Sequence, residues 1–172
     1  MNVKYLLTLI MFLLANCASY EKFREITQEL DIPSQTFKAT YNQTWQAVIQ
    51  VMKKYDIAQQ NQEAGYIKTR WMDNTLQVNF TDSFGSNDAV KAAKFKLVIN
   101  VVKAFQGRNE VATVSVYKRQ LVEQDFLQGW KEIRTDGILE KTILYRLERI
   151  ISIDNKLKAI DKAKEQEQLK TF

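Results

Sequence analysis

Residues 94–122 read KFKLVINVVKAFQGRNEVATVSVYKRQLV. In the first half, Phe95, Leu97, Ile99 and Val101 recur at every second position. In the second half, Ala112, Val114 and Val116 do the same. A period of two is the signature of a strand with one buried face. Gln106-Gly107-Arg108-Asn109 lies between the halves and has the composition of a tight hairpin turn. The pattern predicts two long antiparallel strands, over 94–105 and 110–122, as the centre of the fold.

Upstream, residues 66–72 read as a strand with Ile67, Thr69 and Trp71 on one face. Asp73-Asn74 is a turn signal, and Leu76, Val78 and Phe80 alternate after it, so a second hairpin is predicted there. Residues 81–93 are rich in Ser, Gly, Asn and Asp early on and read as a loop. Further back, residues 55–60 read as a short strand and 61–65 as a turn. Residues 36–41 form a strand with Phe37, Ala39 and Tyr41 together. Asn42 is the predicted cap of a helix in which Trp45, Val48, Ile49 and Met52 make an apolar stripe.

Downstream, residues 124–137 read as irregular or partly helical. Ile143, Leu147, Ile150, Ile153, Leu157 and Ile160 then recur at three- and four-residue steps, which predicts a long helix over 138–160. From Asp161 the chain is Lys, Glu and Gln with little apolar content, and the helix is expected to fray into solvent. The order is β-α-β-β-β-β-β-α. It implies an α+β fold, an antiparallel sheet of five to six strands with two helices packed on one face.

The 172-residue chain contains 45% hydrophobic residues, which excludes wholesale disorder, and a formal charge of +5. It has no histidine, so Ser–His, Cys–His and His-ligated zinc chemistry are excluded within it. A single cysteine, Cys17, excludes an intrachain disulfide and a thiolate cluster. The five glycines stand singly, and no phosphate-cradling glycine loop can be written. Carboxylate pairs that glycosidic chemistry would need, Glu123 with Asp125 and Glu132 with Asp136, read as solvated loop charges. No metal, no cofactor and no enzymatic activity are expected. The basic residues are dispersed, with no run of four, so nucleic acid is not an expected partner.

Lys4 precedes an apolar run from Tyr5 to Ala15 that is shorter than a membrane span and has the flanks of a secretory signal. It ends in Leu14-Ala15-Asn16-Cys17. This resembles the lipobox of bacterial lipoproteins, with Asn16 where Gly, Ala or Ser is usual. The resemblance implies a signal peptide over 1–16, acylation (palmitate among the chains) at Cys17, and membrane attachment through those chains. Ala18 after the cysteine resembles an outer-membrane address, facing the periplasm. Residues 17–35 then form the lipidated cysteine and a tether, with Phe23, Ile26 and Leu30 at helical spacing as a candidate partner-binding segment. Residues 36–160 form a single domain and 161–172 a charged tail.

Between residues 37 and 71 stand Phe37-x-Ala39, Tyr41-x-x-x-Trp45-x-Ala47, Asp56-Ile57 and Glu63-Ala64-Gly65-x-Ile67-x-Thr69-x-Trp71. These motifs resemble the repeated domain of the BamC (NlpB) lipoproteins of the outer-membrane β-barrel assembly machinery. Two departures stand out: BamC proteins carry two such domains after a long arm, and this chain has one after a short tether. The resemblance implies a non-catalytic interaction or assembly accessory with an envelope protein partner, the barrel assembly machinery. The expected contact residues are Phe84 in the 81–93 loop and Phe126, Leu127 and Trp130 in the 124–137 segment. A second reading is a lipid- or hydrophobic-ligand-binding lipoprotein of helix-grip type, with Phe80, Phe84, Phe95 and Phe105 lining a cavity.

Overall fold

The computed structural model describes residues 32–82, 90–123, 127 and 129–170. The elements are β1 (Ser34–Phe37), α1 (Tyr41–Met52), β2 (Ile57–Asn61), β3 (Tyr66–Thr69) and β4 (Met72–Asp73). They continue with α2 (Thr75–Asp82), β5 (Ala92–Gln106), β6 (Asn109–Glu123), β7 (Trp130–Ile133) and α3 (Ile138–Lys170). The fold is α+β: one seven-stranded antiparallel sheet in the order β1-β6-β5-β3-β2, with β4 also on β5 and β7 also on β6.

The predicted hairpin is the spine of the sheet. β5 and β6 pair without a break from Ala92↔Glu123 to Gln106↔Asn109. Gly107 closes the two-residue loop at φ +64°, the conformation a turn matching strand twist requires at its first central position. The register sets Leu97 opposite Lys118, Ile99 opposite Val116 and Val101 opposite Val114. Odd residues of β5 and even residues of β6 therefore share one face, and the other parity lines the opposite face.

The first of these faces is the core. Leu97, Ile99, Val101, Ala112, Val114 and Val116 pack with Phe37 of β1, Ile67 of β3, Trp45, Val48 and Met52 of α1, and Ile143, Leu144, Leu147 and Ile151 of α3. A smaller cluster at the end of the hairpin joins Val78 of α2 to Val90, Ala93 and Val122.

Several local expectations are corrected. Thr40, not Asn42, caps α1: its backbone is extended (φ −66°, ψ 158°) and its side chain accepts from the Gln43 amide, whereas Asn42 already lies in the first turn. Tyr41 is accordingly not on the strand face of Phe37 but opens the helix, where its amide donates to Glu110 Oε1 (2.8 Å) and its ring stacks on Trp45. Residues 75–82 are helix α2 rather than a hairpin strand. Asp73 Oδ1 accepts from the Thr75 amide, and the Asn74 carbonyl accepts from Val78, so Asp-Asn-Thr starts a helix instead of turning a hairpin. The 124–137 segment contains a strand, β7. α3 does not fray at Asp161 but continues to Lys170.

Gly65 anchors the turn that launches β3. Its φ is +63°, and an added Cβ would stand 2.1 Å from the Val101 carbonyl oxygen. The same close approach lets the Val101 amide donate to the Gly65 carbonyl at 2.7 Å. The Tyr41 hydroxyl donates to the Gln62 carbonyl and ties the turn to α1.

Candidate functional site

Trp71 was expected to share a face with Ile67 and Thr69. It does not, and the reason is a single extra residue. Lys68 pairs with Val98, but Met72 pairs with Phe95. Four steps along one chain thus match three along the other, the spacing of a bulge. Thr69 fills the gap: its buried hydroxyl accepts from the Leu97 amide (2.9 Å) and donates to the Arg70 carbonyl (3.0 Å). The insertion reverses the alternation. Met72 follows the core face, and Trp71 comes out on the other side of the sheet.

That other side carries Lys94, Lys96 and Val98 of β5, Tyr117, Arg119, Leu121 and Glu123 of β6, Lys68 of β3, and Trp130 and Glu132 of β7. Trp71 (38% exposed) and Trp130 (42%) flank its lysines, whereas the core Trp45 is 1% exposed. Lys94 Nζ stands 3.7 Å from the centre of the Trp130 ring and 5.5 Å from that of Trp71. Lys96 Nζ is 4.7 Å from the Trp71 ring, and the Arg119 guanidinium 6.0 Å. These are cation–π distances.

Charge on this face is unevenly matched. Glu132 accepts from Arg119 Nε at 2.9 Å and lies 2.8 Å from its Nη2, and Tyr117 donates to the other carboxylate oxygen. The Arg119 bond holds Glu132 below the usual carboxylate range. Asp73, beside Lys94 in register, is engaged by the Thr75 amide and hydroxyl. Lys96 is pushed below the ordinary lysine range, first by burial and then by repulsion from Lys68 and Arg119. The lysines here are held in place by indole rings rather than by carboxylates.

A second surface belongs to α3. Its last core residue is Ile151; beyond it Ile153, Leu157 and Ile160 are each more than half exposed, on one stripe. Asp154 pairs with Lys158 (2.8 Å) and accepts from Gln43 Nε2 of α1 (2.6 Å). Between α1 and α3 lies a groove of about 460 Å³, lined by Thr40, Gln43, Gln46, Gln50, Ile150 and Asp154 among others. It is open to solvent and lined by apolar as well as polar groups, with Ala47, Ile150 and Ile151 beside the glutamines.

Of the residues proposed from sequence, Cys17, Phe23, Ile26, Leu30, Phe84 and Phe126 lie outside the described residues. Leu127 is 89% exposed and Trp130 is on the open face, so both are at the surface. The supposed cavity aromatics are not all gathered: Phe95 packs against the main core, while Phe105 is exposed near the hairpin tip. Glu132 is not a loop charge but a member of β7 in an ion pair. The cluster of Trp71, Lys94, Lys96 and Arg119 was missed from sequence. Its only signal was the Lys-x-Lys spacing of residues 94 and 96, which puts two cations on one face of a strand.

No protein-family model matches the chain, and comparison with curated proteins returns no match. Among the described residues there is no helix long and apolar enough to cross a membrane, and no group of acidic and sulfur residues placed to hold a metal ion.

Proposed function

We propose that the chain is a membrane-anchored envelope lipoprotein whose α+β domain serves as a non-catalytic docking module. Cys17 is the anchor, the residues between it and β1 (Ser34–Phe37) the tether, and the periplasmic face of the outer membrane the location. The observation that carries the docking reading is the far half of α3. A helix of about 50 Å leaves its own core at Ile151 and still presents Ile153, Leu157 and Ile160. The helix outlasts the core it packs on, and an amphipathic stripe of this spacing is the form in which a helix enters a groove on a partner. The motifs between residues 37 and 71 name the partner class: the barrel assembly machinery, through likeness to BamC.

The openness of the groove between α1 and α3 favours docking over the alternative of a lipid carrier. A carrier needs an enclosed apolar cavity of roughly 300 Å³ or more. The groove beside α3 is open to solvent rather than enclosed, with glutamines and Asp154 beside Ile150 and Ile151.

Photocrosslinking from position 157 in cells tests the reading. Adducts with a barrel-assembly component support it; adducts only with unrelated proteins, or none, remove the BamC-like partner. Fatty-acid labelling of wild type and Cys17→Ser tests the anchor, and equal labelling of the two would refute it.

A further inference from the structure

We propose that the open face of the sheet, centred on Lys94, Lys96, Trp71 and Trp130, is a docking surface for a bilayer carrying anionic phospholipid headgroups. The proposal uses the anchored reading only for the nearness of a membrane. Its surface is distinct from the α3 stripe.

Charge complementarity sets the sign of the partner. Lys96 has Lys68 and Arg119 as cationic neighbours and one carboxylate, Glu132, which Arg119 already engages. Lys94 is held by two indoles, and its neighbour Asp73 is engaged by Thr75. An ammonium fixed over a ring keeps its full charge, so the cluster presents ordered cations without the loss of freedom that ordering would otherwise cost on binding. An anionic surface meets the excess of cations around Lys96.

The aromatic geometry selects among anionic partners. A nucleic acid or a sugar would need free ring faces for stacking. Here a face of each indole is taken by lysine ammonium groups, 3.7 Å from the Trp130 centre and 4.7 Å from that of Trp71. Both rings are also partly exposed beside these cations. Tryptophan and lysine together at one level are what a membrane–water interface favours. Apolar residues continue the surface: Val102, more than half exposed, lies further along the same face of β5, and the exposed Leu127 precedes β7.

The test uses the full chain reconstituted in vesicles, either of phosphatidylcholine alone or with phosphatidylglycerol added. Tryptophan emission and its quenching by a headgroup-level spin label are read. Trp45 is buried and contributes a constant background. The expected result is a blue shift and quenching only where phosphatidylglycerol is present. In Lys94→Gln/Lys96→Gln both weaken, the apparent affinity for phosphatidylglycerol vesicles falling roughly tenfold or more. Circular dichroism checks that this variant, altered at two partly exposed positions, stays folded. Equal emission in both vesicle types overturns the proposal. So does an equal shift with free glycerol phosphate and no bilayer, which would assign the cluster to a soluble phosphate. A shift on anionic vesicles together with failed crosslinking from position 157 leaves this surface standing and removes the protein-docking reading.

Discussion

The two faces of the β5–β6 hairpin are made by the same thirty residues and differ only in parity. Leu97, Ile99, Val114 and Val116 point to one side and vanish beneath α1 and α3. Lys94, Lys96, Tyr117 and Arg119 point to the other and carry two tryptophans with them. One face spends its apolar surface on stability. The other keeps aromatic and cationic groups at the surface, where they contribute little to folding and remain available for contact.

The sharpest way to break this contrast is a truncation on each side. Leu147→Ala opens a cavity under the sheet and should cost about 3 kcal/mol in a denaturant titration. Val98→Ala on the open face should cost less than about 1 kcal/mol. Comparable losses would mean that the open face is covered in solution.

Gly65→Ala should be the next most damaging change, by about 2 kcal/mol, because it combines a disfavoured φ with a clash against the Val101 carbonyl oxygen. The bulge supplies a smaller effect. Thr69→Val leaves the buried Leu97 amide without its acceptor and should cost about 1 kcal/mol. It should also loosen Trp71, seen as a red shift of its emission and weaker coupling to Lys96. If Trp71 is unmoved, the extra residue alone sets its position.

The hairpin, the helix stripes and the α+β class were legible in sequence because each rests on a long period, repeated over four or more turns or pleats. What was missed is short. The bulge before Met72 changes one step in the alternation, and no pattern over Ile67, Thr69 and Trp71 reveals that the third member is on the wrong face. α2 was misread since Leu76 and Val78 alternate as in a strand, whereas in the helix they lie on opposite sides, Leu76 exposed and Val78 buried, and Asp73-Asn74 serves a turn and a helix start equally well. β7 is four residues at an edge, held by pairing with β6 rather than by its own composition. The Trp–Lys cluster needed all three: the bulge delivers Trp71, β7 delivers Trp130, and the hairpin places Lys94 and Lys96 between them.

The smallest expected effect is electrostatic. Glu110 is held below the ordinary carboxylate range, first by the Tyr41 amide at the start of α1 and then by Lys103. A depressed carboxylate stabilises the fold above its unfolded pKa, and that contribution fades as pH falls through the lower folded value. Acid titration of the wild type should therefore show a loss that begins near the ordinary Glu range, at about pH 4. In Glu110→Gln the same limb should be shallower. Superimposable acid limbs would show that the Tyr41 contact contributes nothing in solution.

The division of the sheet into a sealed and an open face is tested most directly by acrylamide quenching of three single-tryptophan chains, each retaining Trp45, Trp71 or Trp130 with the others changed to Phe. Trp45 should resist the quencher, while Trp71 and Trp130 should be readily quenched in the free chain and shielded on phosphatidylglycerol vesicles. Quenching of Trp71 as weak as that of Trp45 in the free chain would contradict the division of the two faces.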